Sequence, residues 1–242
     1  STTRSGEPCW VRLFGLHAKN ISPLPPKEKP MHANFWHDKW EKGEIAFHQA
    51  NANPLLAAHF AALSLAEGSR IFIPLCGKTR DIAWLLDKGY AVVGAELSTL
   101  AIEQLFADLG VTPERSGKGE LMHYRAPNLD IFVGDIFELS GELLGAVDAV
   151  YDRAALVALP ADMRELYSRH LIEITRRAPQ LLISYEYDQS VVAGPPFSIH
   201  AEEVLRNYGA SHTLTLLAST PVVGGMKGLC EALEHVWLLG TL

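Results

Sequence analysis

The stretch RIFIPLCGKTRDIAWLLDKGYAVVGAELS, residues 70–98, constrains the fold more than any other part of the chain. RIFIPL is a short apolar run of buried-strand length. Ile82, Leu85 and Leu86 then recur at helical spacing, Gly89 closes the helix, and AVVGAEL is a second apolar run. Two strands joined through a single helix pair in parallel by a right-handed crossover, so this segment opens a doubly wound α/β sheet.

The alternation continues downstream. Ser98 is placed to cap a helix whose Ile102, Leu105, Phe106 and Leu109 share one face. LMHYRAPNLDIFVGD reads as a hairpin insertion leading into a third strand, LDIFV, and VDAVYD as a fourth. Asp162 and Glu165 predict a capping box for a helix carrying Met163, Leu166, Tyr167, His170 and Ile174, after which QLLISYEY is a fifth strand. No helix separates SHTLTLL from LEHVWLLG, which suits an antiparallel pair at one sheet edge. The expectation is a mainly parallel seven-stranded sheet with an antiparallel edge strand and helices on both faces. Residues 35–65, broken by Gly43 and NANP, form a helical cap ahead of it. Residues 1–30 end in the proline-rich ISPLPPKEKP and are read as a leader or cloning-derived extension outside the core, the folded chain starting at Met31; a folded strand at CWVRLFGL is the alternative.

The 242 residues are enough for one domain with a full core. Acidic side chains outnumber basic ones, 28 to 21, for a net charge of −7, and no basic block stands out, which argues against a nucleic-acid partner. No apolar run approaches the roughly 20 residues of a membrane span and no secretory signal is visible, so a cytoplasmic protein is expected. The three cysteines, Cys9, Cys76 and Cys230, give neither a disulfide framework nor a metal site. Cys76 is open to two readings, a small buried thiol or a nucleophile.

In open α/β sheets ligands bind beyond the carboxyl ends of the strands, and each of those loops carries a polar group: Lys78 and Arg80, Glu96, Asp135, and Asp152 with Arg153. The first turn has a single glycine, Gly77, where a dinucleotide fingerprint needs three. CGKT resembles the end of a phosphate-binding loop, but Phe72 stands where that loop needs its first glycine, so an NTPase is disfavoured. A nucleoside without phosphates fits better. Glu96, 19 residues beyond Gly77, stands where a carboxylate accepts from ribose hydroxyls; equally, it could cap the next helix.

The antiparallel ending is similar to that of S-adenosylmethionine-dependent methyltransferases, and the residues narrow the likeness. FWHDKWEKGEIAFHQ, the 72–98 run, GDIFEL, YDRAALVALP and GPPFSI, in this order, closely resemble the thiopurine S-methyltransferase family, particularly its bacterial members, from about Met31 to the carboxyl end. The resemblance implies a Rossmann-like class I methyltransferase domain over 31–242 with a role in detoxification; a monomer is expected because no long apolar seam is left over once the core is assigned. Its cofactor would be S-adenosyl-L-methionine, its product S-adenosyl-L-homocysteine, and no metal is called for. It further implies that Trp36, Trp40, Leu75, Gly77, Glu96, Asp135, Ile136 and Arg153 bind the cofactor. Arg153 also faces the acceptor, with Asp152 beside it as the second catalytic candidate, and Phe47 and Pro196 line the acceptor pocket. Vertebrate members carry an arginine and a tryptophan before the last strand, where this chain reads VVGGMKGLCEAL with Lys227.

The implied reaction is methyl transfer to the sulfur of an aromatic or heterocyclic thiol, with selenium and tellurium species as further acceptors. A halide or other small-thiol methyltransferase and a non-catalytic cofactor-binding protein are the alternatives. Several residues also have plain structural readings. Trp36, Trp40 and Phe47 could be core, His48 and His123 either bases or hydrogen-bonded structural groups, Asp152 an ion-pair partner of Arg153, and GPPF a rigid loop.

Overall fold

The structure is a computed structural model, and it describes residues 33–42 and 51–242. The leader and its domain boundary, Phe47 and His48 lie outside the described residues. The parallel centre of the sheet is β1 (Arg70–Ile73), β2 (Ala91–Glu96), β5 (Leu129–Val133), β6 (Ala149–Arg153) and β7 (Gln180–Tyr187). At one edge β9 (Ala232–Thr241) runs antiparallel to β7 and carries β8 (His212–Pro221) outside it. At the other edge β4 (Leu121–Ala126) and β3 (Glu114–Lys118) add antiparallel strands, giving the order β3-β4-β5-β2-β1-β6-β7-β9-β8.

Seven strands were expected and nine are present among the described residues; the difference is the β3–β4 hairpin. β4 and β5 realise the hairpin insertion around Asn128, whose φ of 57° is the left-handed turn conformation an asparagine tolerates. β3, ERSGK, is exposed at every position and has no apolar alternation by which a strand is recognised.

Alternation within each central strand divides the core in two. Phe72, Val93, Val150 and Leu182 point to one face and pack with Tyr167, Leu171, Val204 and Tyr208 of α6 (Ala161–Ile174) and α7 (Ala201–Tyr208). Ile71, Ile73, Val92 and Tyr151 point to the other, against Ile82 and Leu85 of α3 (Arg80–Asp87) and Ile102, Leu105 and Phe106 of α4 (Thr99–Leu109). Each such fully buried aliphatic side chain contributes about 1.5–3 kcal/mol, so the central strands are fixed from both sides. Ser98 caps α4 as expected, accepting the Ala101 N–H, and Gly110 ends it at φ 67°.

The α6 expectation needs correction. Its N-cap position is Pro160, which has no side-chain cap bond; Asp162 lies within the first turn and Glu165 pairs with Arg169. The buried face is Arg164, Tyr167, Ser168, Leu171 and Ile174, while Leu166 is exposed. Arg164 can sit inside because Glu203 of α7 and the Leu159 carbonyl take its guanidinium protons. Before the sheet lie α1 (Ala33–Glu41), α2 (Pro54–His59) and a short 3₁₀ turn, Phe60–Leu63. No helix among the described residues is long and apolar enough to cross a membrane.

Candidate functional site

The loops leaving β1, β2, β5 and β6 gather at the carboxyl ends of the strands. The turn after β1 is held by Glu96 from the end of β2. The Gly77 N–H donates to its Oε2 at 2.8 Å, the Ser98 N–H to its Oε1 at 2.9 Å, and the Cys76 N–H continues the β1–β2 ladder to the Ala95 carbonyl. Burial pushes the Glu96 carboxyl up, and the amides of Ser98, Gly77 and Leu97 pull it back without cancelling the rise. A carboxylate has about four acceptor directions, more than the Gly77, Ser98 and Leu97 amides take up. Both readings of Glu96 therefore have structural content: it braces the entry to α4 and still has acceptor capacity at the strand ends.

Gly77 is required twice over. Its φ is 51°, and a Cβ there would stand 3.1 Å from Cζ2 of Trp40, whose buried indole lies on the turn. Leu75, two residues earlier, holds φ 46° without being glycine, a costly conformation of the kind that gathers at functional sites. Trp36, one helical turn before Trp40 on α1, is half-buried.

Behind this turn lies a buried carboxylate that the sequence reading did not single out. Asp81 of α3, 1% exposed, accepts the Asn53 N–H at 2.7 Å and the Tyr151 hydroxyl at 3.1 Å. Asn53 in turn caps α2 through the amides of Leu55 and Leu56. The segment preceding the sheet is thereby tied to α3 and β6.

The loop after β5 begins at Gly134, whose φ is 144° and whose N–H donates to the Glu96 carbonyl; a Cβ there would meet Leu121 at 2.6 Å. Asp135, exposed, caps the short turn Ile136–Glu138 through the Phe137 N–H, and Ile136 is buried with its carbonyl accepting from His170 Nε2 at 2.8 Å. Asp135 and Ile136 are thus an exposed carboxylate beside an apolar side chain, next to the end of β2.

At the end of β6, Asp152 and Arg153 diverge, as adjacent residues of a strand must. Asp152 is fully buried; Tyr167 donates its hydroxyl to Oδ2 at 2.7 Å and the Leu156 N–H reaches Oδ1 at 3.1 Å. Desolvation raises its carboxyl to about 6, against the bonds from Tyr167 and the backbone. Those partners, rather than the alternative ion pair with Arg153, make Asp152 a brace for the 153–156 turn. Arg153 points to the other face, where its positive charge acts on the hydroxyls of Tyr151 and Tyr185.

The GPPF loop closes the same end. Phe197 is buried and donates its N–H to the Val157 carbonyl, and the Pro196 carbonyl accepts from the Tyr187 hydroxyl, so half-buried Pro196 is fixed between β7 and the β6–α6 connection. In the β8–β9 loop Met226 is buried with Tyr187 and Val192, whereas Lys227 is exposed.

Two candidate groups take their structural readings. His123 stacks on Phe132 at 4.7 Å and meets Asp130 at 2.8 Å on the β4–β5 hairpin. Cys76 is buried against Gly94, where a Cβ would lie 2.8 Å from its sulfur, and burial together with the Glu96 charge pushes the thiol up, the opposite of nucleophile activation. Tyr185 and Glu234 at this end were not legible, because they belong to strands separated by the whole of α7 and β8.

The sequence profile of thiopurine S-methyltransferase (TPMT) matches residues 31–238. The chain is 56% identical over 210 residues to the thiopurine S-methyltransferase of Xanthobacter autotrophicus, covering 86% of this chain and 99% of the relative. It is 51% identical over 213 residues to that of Acinetobacter baylyi, covering 86% and 98%. Among solved structures, the Burkholderia thailandensis 1,6-didemethyltoxoflavin-N1-methyltransferase, crystallised with 1,6-didemethyltoxoflavin and S-adenosylhomocysteine, shares the fold at TM-score 0.61 and 16% identity over 90% of this chain and 93% of that one. A methyltransferase from Anabaena variabilis superposes at 0.58 with 14% identity, over 88% and 98%. The chain uses S-adenosylmethionine as its cofactor and belongs to the thiopurine S-methyltransferase family of S-adenosylmethionine-dependent methyltransferases.

Proposed function

We propose that the chain is an S-methyltransferase that methylates the sulfur of aromatic or heterocyclic thiols such as thiopurines. The observation that supports this reading is that Arg153, a permanent cation, ends β6, the parallel neighbour of β1, whose following turn is held by Glu96 under Trp40. The residues fit a nucleoside bearing a sulfonium. Glu96 has acceptor capacity left for ribose hydroxyls, Asp135 and Ile136 offer a polar and an apolar side to adenine, and Leu75 and Gly77 give it backbone. The indoles of Trp36 and Trp40 attract a sulfonium through their π faces. When bound there, S-adenosylmethionine supplies an electrophilic methyl group.

The chain's own part is positioning, water exclusion and charge. Arg153 favours the ionised form of an acceptor thiol, whose proton passes to water, and an aryl thiol is acidic enough to need no dedicated base. Asp152 keeps the turn after Arg153 in place through Tyr167 and Leu156. Pro196, and Phe47 outside the described residues, line the flat acceptor's pocket. The charge requirement is shared by selenolates, so selenium and tellurium species belong to the same acceptor class. The reading takes the protein as a cytoplasmic monomer without a nucleic-acid partner, supported by its net charge of −7 and by exposed apolar side chains spread over separate elements, such as Leu166 on α6 and Val223 after β8.

The test is transfer of labelled methyl from S-adenosylmethionine to 6-mercaptopurine, thiophenol, selenite with a thiol reductant, and iodide, with a no-acceptor control. Transfer to the two aryl thiols is expected. Transfer to iodide alone would replace this reading with a halide methyltransferase, and tight cofactor binding without any transfer would replace it with a binding protein.

A further inference from the structure

The sheet register brings two side chains to Arg153 that the reading above leaves without a role. β6 and β7 pair with Arg153 beside Ile183, and Tyr185 follows two residues later on the same side of the strand. β7 and β9 pair with Glu234 directly opposite Tyr185, the arrangement in which side chains of neighbouring strands interact. Glu234 and Tyr185 are both half-buried, and Tyr185 packs against the cluster of Tyr187, Val192, Met226 and Ala232 under the β8–β9 loop.

The electrostatics run in the same direction as the register. The Arg153 cation and the Glu234 anion act in opposite senses on the hydroxyls of both Tyr185 and Tyr151, and burial with Glu234 leaves Tyr185 pushed up to about 12. Tyr151 also meets Asp81 of α3, which places a second carboxylate one side chain further back. Among the described residues, Tyr151 from β6, Tyr185 from β7 and Glu234 from β9 share this space with Arg153, with Asp81 behind Tyr151.

We propose that Tyr185 and Glu234 are a positioning pair that fixes the orientation of the Arg153 guanidinium and sets how much of its charge reaches the acceptor sulfur. The proposal rests on the reading of Arg153 as the group that faces the acceptor. A guanidinium on a long side chain has many orientations, and a carboxylate with an interposed phenol on a rigid sheet restricts them. The same carboxylate offsets part of the cation's field. Arg153 with Glu234 nearby stabilises a thiolate less than Arg153 would alone, so the pair also determines how acidic an acceptor must be.

The test uses the full chain with thiophenol as acceptor and three variants: Glu234→Gln, Tyr185→Phe and Arg153→Met. Removing the Glu234 charge strengthens the positive field on the bound thiol. The acid limb of the kcat–pH profile, which reports the enzyme–substrate complex, is expected to move to lower pH by about half a unit to one unit. Tyr185→Phe removes only the hydroxyl; it is expected to raise the acceptor KM about fivefold, with S-adenosylhomocysteine affinity in calorimetry unchanged. A merely structural role would lower thermal stability without moving the acid limb or separating KM from cofactor affinity. The proposal is overturned if folded Glu234→Gln and Tyr185→Phe keep the wild-type acid limb and acceptor KM while Arg153→Met loses transfer; the reading of Arg153 would then stand alone. Wild-type acceptor KM in Arg153→Met would instead overturn that reading, and the pair with it.

Discussion

The amide of Gly77 donates to the carboxylate of Glu96 at 2.8 Å, joining the first turn of the sheet to the end of the neighbouring strand. The same carboxylate takes the Ser98 N–H, so one side chain organises two loops of the crevice. Replacing Glu96 by Ala removes two charge-assisted bonds and the group proposed to hold ribose. Cofactor affinity in calorimetry should fall by on the order of 1–3 kcal/mol, together with a lower Tm. Unchanged affinity in a folded Glu96→Ala protein would remove Glu96 from cofactor binding.

Gly77→Ala places a methyl group 3.1 Å from the Trp40 ring at a φ of 51°. The expected cost is about 1–2 kcal/mol of stability in urea unfolding, with weaker cofactor binding. The Trp40→Phe background removes the ring atom that the methyl meets, so the double variant should lose less than the two single changes added together. Strict additivity would show that Trp40 and the turn are energetically separate.

Asp152 carries a pH signature of its own. Its folded carboxyl is raised to about 6 from an ordinary value of 3.8, so the folded state binds the proton more tightly than the unfolded one. Its contribution is fully present below about pH 4 and is lost as pH rises through about 6, a span worth roughly 3 kcal/mol. Between those values wild type should gain stability on acidification relative to Asp152→Asn, measured as the difference of their unfolding free energies. A pH-independent difference would contradict the raised carboxyl.

Cys76 fills the space beside Gly94 and its thiol stays protonated. Cys76→Ala should leave methyl transfer within a few-fold of wild type while costing about 1 kcal/mol of stability. Loss of transfer with stability retained would restore the nucleophile reading.

Much of this was legible in sequence because it is local. The strands around RIFI and AVVGAE, the cap at Ser98 and the final antiparallel pair follow from short apolar runs and turn residues. β3 was missed because an edge strand with no buried face has no pattern to read. The face of α6 was misjudged because two of its buried residues are polar: Arg164 enters the interior with the Leu159 carbonyl and with the carboxylate of Glu203, 39 residues away. The site divided in the same manner. Glu96 and Arg153 stand out as charges at strand ends, whereas the Asp81–Tyr151 bond and the Tyr185–Glu234 pairing depend on contacts between distant segments that no spacing rule contains.

The most direct test of the central claim is a single-turnover reaction of the wild-type chain with methyl-labelled S-adenosylmethionine and 6-mercaptopurine, the product's methyl position read by mass spectrometry. Label on sulfur is the predicted result. Label on a ring nitrogen, or cofactor bound with no label transferred, would contradict it.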